Sequence, residues 1–295
     1  MKVLLTGSNG LLGQHLIMLL LQATDWQVIG VGKGPCRLPQ INNDRWAYHS
    51  LDLTDGVTAT AFYLEQRPEL IIHAAAQTQV DFCELNPVAC WDANVTATRF
   101  LVEAAKQFQP FFIFVSTDFV FDGTSGPYTE TDNPNPVSYY GSSKWVGEKE
   151  VLQSGLAAAI VRTCLVYGTT HDGSRSNIVS WVKNNLTADK PINVVNDQWR
   201  TPTWVNDLAM GILLIAQQRA AGIFHISGHE MMTPYDMAMA TAEFYGLDKT
   251  LITAVDANSF TQPAQRPPKT GFVITKAQTQ LGYRPHSFAE GLKHL

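Results

Sequence analysis

Apolar positions along the chain fall into two rhythms. Short apolar runs at 1–6, 27–31, 70–73, 111–115 and 157–161 have the length of strands buried on both faces. Between them, 11–21, 59–66, 87–107 and 138–152 have helical length. This β-α-β alternation predicts an α/β fold, a doubly wound parallel sheet with right-handed crossovers and helices on both faces, with ligands bound beyond the carboxyl ends of the strands. After about Tyr167 the pattern changes. Shorter elements at 177–185, 206–218, 223–226 and 234–245 are separated by polar or proline-rich links and read as a smaller lobe, and the stretch 124–137, rich in Pro, Asn and Gly, is expected to be a mobile edge of the cleft. No segment repeats at a fixed period or is low in complexity.

At 295 residues with 45% hydrophobic content, the chain can bury one large domain or two unequal lobes. A net charge of −5 and the lack of any Lys/Arg-rich tract argue against nucleic acid or an anionic membrane as partner. The apolar stretch 16–21 is too short to span a bilayer, and the turn at 6–10 interrupts any secretory apolar region, so a cytoplasmic protein is expected. Cys36, Cys83, Cys90 and Cys164 lack C-x-x-C spacing and read as free, partly buried thiols. His225 and His229 are four apart, but they fall on a strand and a turn, so they read as structural and no metal site is expected.

Candidate chemistry begins directly after the first strand. Gly7-Ser8-Asn9-Gly10-Leu11-Leu12-Gly13 joins that strand to a helix, aiming backbone N–H groups and the positive end of the helix dipole beyond the sheet, where a pyrophosphate would fit. The spacing is G-x-x-G-x-x-G rather than the commoner G-x-G-x-x-G. At the end of the second strand, where an NAD-selective site usually places a carboxylate, the chain has Gly32-Lys33-Gly34 with Arg37 nearby. Lys33 and Arg37 suit a 2′-phosphate with no carboxylate in the way, so NADPH is preferred and NADH stays open; Lys33 as a solvated loop lysine is the plainer alternative. Asp52, followed by Leu53, suits either an adenine amino group or a helix N-cap. The small side chains of Ala74-Ala75-Ala76-Gln77 after the fourth strand would let a ribose and phosphate lie against backbone, or serve as packing.

Proton-transfer chemistry is predicted from spacing. Tyr140 and Lys144 are i and i+4, so on a helix they share a face, and the ammonium would favour the tyrosinate. A free phenol, with a pKa of about 10, exchanges protons poorly near neutrality without such a neighbour. Ser116 and Thr117 follow the apolar run 111–115, so their hydroxyls sit at the carboxyl end of the sheet; Thr117 suits hydrogen bonding to a substrate carbonyl, or both hydroxyls cap a turn.

Taken in order, GSNGLLG, HAAAQTQVDFCE, STDFVFDG, YGSSKWVGE and RTCLVYG resemble the extended short-chain dehydrogenase/reductase superfamily, and within it the dTDP-4-dehydrorhamnose reductases. The block 197–203 and Arg266-Pro267-Pro268 resemble that family's C-terminal substrate lobe. The resemblance implies a Rossmann-type NAD(P)-binding domain over 1–167 and a mainly substrate-binding lobe over 168–295, with some later segments returning to the first domain. It implies hydride transfer to the C4 ketone of a nucleotide-diphosphate 4-keto-6-deoxy sugar, with Thr117, Tyr140 and Lys144 at the catalytic positions and Asp118 at a sugar contact. Leu165 stands where the family usually has a tryptophan near the substrate, and Arg200 where it often has glycine. That arginine suits another diphosphate sugar or a local ion pair. A regulatory subunit resembling that of methionine adenosyltransferase, which binds cofactor while controlling a partner, is one alternative; a sugar-nucleotide epimerase is another, and a homodimer is an assembly open to each.

Overall fold

The first strand already requires two helical layers. In β1 (Lys2–Thr6), Val3 and Leu5 point to one face of the sheet and Leu4 to the other, and all three are fully buried. The computed structural model describes residues 1–38, 41–173 and 176–295. From the amino end it runs β1, α1 (Leu11–Ala23), β2 (Gln27–Gly32), β3 (Trp46–Ser50), α2 (Gly56–Gln66), β4 (Leu70–His73), α3 (Val80–Leu85) and α4 (Pro87–Trp91). It continues through a π-helical turn (Asp92–Thr96) to α5 (Ala97–Ala105), β5 (Phe111–Thr117), α6 (Tyr139–Leu152), β6 (Ala158–Thr163) and β7 (Val166–Tyr167). The remainder comprises α7 (Ile178–Thr187), β8 (Ile192–Val195), β9 (Thr203–Trp204), α8 (Val205–Gln218), β10 (Gly222–His225), α9 (Pro234–Tyr245), β11 (Ile252–Val255), α10 (Thr275–Leu281) and α11 (Phe288–Leu292).

Seven of these strands form one parallel sheet in the order β10-β6-β5-β4-β1-β2-β3. The chain reverses direction across the sheet between β1 and β4, and the crevice beyond the strand ends at such a switch point is where doubly wound folds place ligands. Leu16, Ile17 and Leu20 of α1 and Leu208 and Ile212 of α8 cover one face. Ala59 and Tyr63 of α2, Leu101 of α5 and Val151 of α6 cover the other. The doubly wound parallel sheet is therefore as the alternation predicts. A separate small core joins α7 and α9 to the β8–β11 pair through Val182, Leu186, Val194 and Ala242.

Two expectations are corrected. The run 223–226, read with the smaller lobe, pairs with β6 as the edge strand of the central sheet, because local apolar content carries no information about which sheet a strand joins. The expected helix 87–107 forms as an uninterrupted helix over 87–105, with a π turn at Asp92–Thr96 between α4 and α5. The stretch 124–137 is tied down: Tyr128 N donates to the Gly271 carbonyl at 2.8 Å, its carbonyl accepts from Val273 N at 2.8 Å, and Asn135 N donates to the Val120 carbonyl at 2.8 Å.

The helix that matters most for the cleft is α6. Ser138 caps its start, its hydroxyl accepting from Gly141 N. Glu148 on α6 and Arg162 on β6 form a forked ion pair with Nε–Oε1 at 3.0 Å and Nη2–Oε2 at 2.7 Å. Both side chains are essentially dry, at 1% and 2% exposure, so neither charge has water to fall back on. Arg162→Met should therefore destabilise the protein by about 3–5 kcal/mol in urea unfolding, and Arg162→Met combined with Glu148→Leu should recover most of that loss.

Candidate functional site

A cleft of about 930 Å³ opens at the switch point. Of the residues assigned a catalytic, cofactor or sugar-contact role from the sequence, all but Arg200 line it. The glycine turn forms the floor. Gly7 has φ of +74°, and a Cβ there would lie 2.8 Å from Ala75 N, while a Cβ on Gly13 would lie 2.3 Å from the Gly7 carbonyl oxygen. Turn, helix start and the Ala74–Ala75 backbone are thus in contact that no side chain can enter. No side chain caps α1 and its first turn holds no acidic residue, which leaves the helix start suited to an anion.

Asn9 has a second task. Its Nδ2 donates to the Pro35 carbonyl and the Tyr48 hydroxyl, both at 2.9 Å, and its Oδ1 accepts from Arg37 N at 2.9 Å. It therefore pins the loop that carries Lys33 and Arg37 to the glycine turn. The sequence reading that no carboxylate stands near Lys33 is corrected. Register between β2 and β3 aligns Gly32 with Ser50, and Asp52 just beyond takes the Lys33 ammonium at 2.7 Å. This contact, with hydrogen bonds from Thr54, lowers the Asp52 carboxyl to about 2. Lys33 remains largely in solvent, so the pair adds little to stability.

At the other end, Tyr140 and Lys144 lie on the sheet-facing side of α6, at 7% and 2% exposure. The Lys144 ammonium sits 4.1 Å from the centre of the Phe114 ring. The spacing predicts that Lys144 draws the phenol toward ionisation; here burial governs both groups. It pushes the Tyr140 phenol above its usual value, against a hydrogen bond with Thr117, and the charge of Asp118 adds to the rise. Burial also pushes the Lys144 amine down to about 7, with Glu148 opposing. The Thr117 hydroxyl donates to Asp118 Oδ1 at 3.1 Å and accepts from Phe119 N at 3.2 Å, so binding a ligand oxygen requires it to turn from Asp118.

Asp118 is buried and also accepts from the Thr270 hydroxyl, with Arg200 Nε at 3.6 Å. Arg200 is itself buried, donating to the carbonyls of Trp199 and Pro267 at 2.8 Å. Of the two roles the sequence leaves open for it, the structure shows the local one: it binds the 267–268 segment to Asp118. Arg266 in turn grips Asp81 of α3 with two bonds, at 2.7 and 3.1 Å. Leu165 lines the cleft in a left-handed conformation, φ 40°, uncommon for a branched side chain. His225 is buried, stacked on Phe272 at 3.9 Å, with Nδ1 3.2 Å from the Tyr128 carbonyl oxygen.

The sequence reading missed lining residues from the π turn, Asp92 and Ala93, and from the α7 cap, Asn177. Ser116, read from the sequence as a turn cap, caps nothing: its hydroxyl is buried in the cleft wall with no hydrogen-bond partner among the described residues. No described helix is long and apolar enough to cross a membrane.

With this geometry in place, comparisons with known proteins can be read. The family profile described as RmlD substrate binding domain matches residues 1–295. Methionine adenosyltransferase 2 subunit beta of Mus musculus is 33% identical over 298 residues, covering 99% of this chain and 86% of that protein. The probable low-salt glycan biosynthesis reductase Agl14 of Haloferax volcanii is 32% identical, covering 96% and 93%. A dTDP-4-dehydrorhamnose reductase structure from Clostridium acetobutylicum superposes with a TM-score of 0.86 at 29% identity, covering 99% and 97%. One from Bacillus anthracis, in complex with NADP, gives 0.86 at 26% identity with the same coverage.

Burial of Lys144 has a measurable consequence. In the unfolded chain its amine keeps its proton to about 10.5, whereas in the fold it releases it near about 7. Between those values the unfolded chain binds more protons, so through this group stability rises with pH. Lys144→Met should remove that rise, seen as a smaller gain in unfolding free energy than wild type between about pH 7 and 10.

Proposed function

This chain belongs to the RmlD substrate-binding domain family, and from that premise we propose that it is an NADPH-dependent ketoreductase acting on the C4 ketone of a nucleotide-diphosphate 4-keto-6-deoxy sugar, with NADH as a second donor. The observation that carries this reading is that Thr117, Tyr140 and Lys144 share one cleft with a glycine turn shaped for a dinucleotide. When bound, the nicotinamide supplies the hydride.

The fit of the chain's own groups to that cofactor is a matter of shape and charge. The turn at Gly7, Gly10 and Gly13, with the uncapped start of α1, suits the pyrophosphate. Leu11 and Leu12 line the same end of the cleft, and the Ala74, Ala75, Ala76 and Gln77 backbone forms its wall. Leu53 lines the end where Asp52 offers an acceptor to an adenine. A 2′-phosphate would compete with Asp52 for Lys33, and an exposed ion pair worth about 0–1 kcal/mol is a weak competitor. Arg37, its backbone fixed by Asn9, adds a second cation on the same loop.

Tyr140 is the general acid. A phenol that burial keeps protonated is the form that can donate, and it gives its proton to the ketone oxygen as that oxygen gains negative charge. Lys144, one turn along, stabilises the tyrosinate left behind. Thr117 donates a hydrogen bond to the same oxygen after turning from Asp118, and Asp118 and Leu165 border the sugar. Phosphoryl and nucleoside groups remote from the ketone supply orientation.

A second reading has its own support: the 33% identical relative that this chain covers almost end to end is named as a subunit of methionine adenosyltransferase. In that case the cleft would bind cofactor and the protein would act on a partner enzyme. Retention of Thr117, Tyr140 and Lys144 together in the cleft favours the reductase.

Turnover of dTDP-4-dehydrorhamnose, followed as NADPH oxidation, tests the proposal directly. Tyr140→Phe should lower kcat by about 10²–10⁴ with cofactor affinity retained. No turnover by wild type despite NADPH binding, together with a stoichiometric complex with an adenosyltransferase, would favour the subunit reading instead. Lys33→Ala should weaken NADPH by about 10-fold and NADH by less than about 2-fold, and equal losses would remove Lys33 from recognition of the 2′-phosphate.

A further inference from the structure

His73 ends β4, aligned with Thr6 of β1 on one side and Phe114 of β5 on the other. It is 1% exposed, among the rings of Phe112 and Phe114, and burial together with the nearby Lys144 charge holds its imidazole neutral, down to about 3. Its two ring nitrogens nevertheless both have partners, and the partners fix their roles. The Thr98 hydroxyl donates to the Asn94 carbonyl at 2.7 Å, so it must accept from His73 Nε2 at 3.0 Å. The proton therefore resides on Nε2, and Nδ1 accepts from the Thr6 hydroxyl at 2.6 Å, which in turn accepts from Ala75 N at 3.2 Å.

The chain of bonds continues at both ends. Ala75 is the backbone against which the glycine turn packs. Asn94 lies in the π turn; its side chain accepts from Gln77 N at 2.7 Å and donates to the Gln77 carbonyl at 3.0 Å and to Ser143 Oγ at 2.9 Å. Ser143 Oγ donates to the Tyr140 carbonyl at 2.7 Å. Hydrogen bonds of one direction thus run from Ala75 N through Thr6, His73 and Thr98 to the Asn94 carbonyl, and the side chain of the same Asn94 carries the connection on to Ser143 and the first turn of α6.

We propose that His73 is a positioning residue that sets the glycine-turn wall and the Tyr140 end of α6 in register with each other, Nδ1 serving the wall and Nε2 serving the helix. The inference rests on the reading of the cleft as a nicotinamide-cofactor site. It assigns the two sides of one ring to two separable properties, which a residue that merely fills space would not do.

Two half-variants separate them. In His73→Asn the amide oxygen replaces Nδ1 and keeps the Thr6 bond while the Thr98 bond is lost; in His73→Gln the amide nitrogen replaces Nε2 and keeps Thr98 while Thr6 is lost. NADPH affinity is read by fluorescence titration, and the set of the helix by hydrogen exchange of the 139–147 amides at saturating NADPH, with melting temperatures recorded alongside. His73→Asn should bind NADPH within about 3-fold of wild type but exchange the 139–147 amides about 10-fold faster. His73→Gln should bind about 10-fold more weakly yet keep wild-type protection of those amides once saturated. Parallel losses of affinity and protection in both variants, in step with their melting temperatures, would show a purely structural histidine and overturn the inference, as would no change in either. Wild type that binds neither NADPH nor NADH would withdraw the cofactor reading, and this inference with it.

Discussion

The Glu148–Arg162 pair fixes where α6 sits, and much of the cleft depends on where α6 sits. A forked guanidinium–carboxylate contact between two dry groups tolerates little sliding, because a shift of one residue would leave both charges without water or partner. Glu148 is therefore a register pin for a helix whose other sheet-facing polar groups, Lys144 and Tyr140, lie one and two turns earlier. Two glycines allow the approach that the pin demands. A Cβ on Gly147 would lie 2.7 Å from the Phe114 ring, and one on Gly141 would lie 2.1 Å from the Phe119 carbonyl oxygen. Close packing at Gly147 is also what lets the Lys144 ammonium reach the face of Phe114, a contact that offsets part of the cost of its burial.

Much of this was legible in the sequence, for an identifiable reason. Strands buried on both faces are continuous apolar runs, and the glycine turn and the Tyr140–Lys144 spacing are local patterns whose geometry follows from one helix or one turn. What was not legible is whatever depends on two distant segments meeting. Asp52 reaches Lys33 only because of the β2–β3 register; Arg200 is buried only because the 267–268 carbonyls close over it; β10 belongs to the main sheet only because β6 offers it an edge. The π turn is a subtler case. The stretch from Pro87 onward has one helical periodicity, and a few hydrogen bonds shifted from i+4 to i+5 leave no compositional mark. Within the turn, the Asn94 side chain satisfies the Gln77 backbone groups of a distant segment, a contact equally invisible from local composition.

The departures from the family pattern look different once placed. Arg200 reads in sequence as an added cation for a charged ligand, yet its guanidinium is spent on backbone carbonyls and on Asp118. Its effect on the cleft is indirect: by holding Asp118, and through it the Thr117 hydroxyl, it sets the rest position of a hydroxyl that lines the cleft. Leu165 departs in another way. It keeps a left-handed backbone at the cleft wall while presenting a smaller apolar side chain than tryptophan, which leaves more room beside Val166 and Thr163.

The electrostatics of the unliganded cleft carry the last step. A phenol raised by burial and an amine lowered by burial are the two halves of one statement, that a dry wall beside Phe114 disfavours charge on either group. Near neutrality Lys144 is thus poised between its two forms while Tyr140 keeps its proton. Loss of that proton to a ligand oxygen would add a negative charge, beside that of Glu148, that favours an ammonium at Lys144, so the two ionisations are coupled. A wall of this kind keeps the Tyr140 phenol protonated at rest, and the ammonium form of Lys144 becomes more favoured if a tyrosinate appears beside it. For a residue whose ordinary pKa lies far above neutrality, that coupling matters more than the resting value of either group.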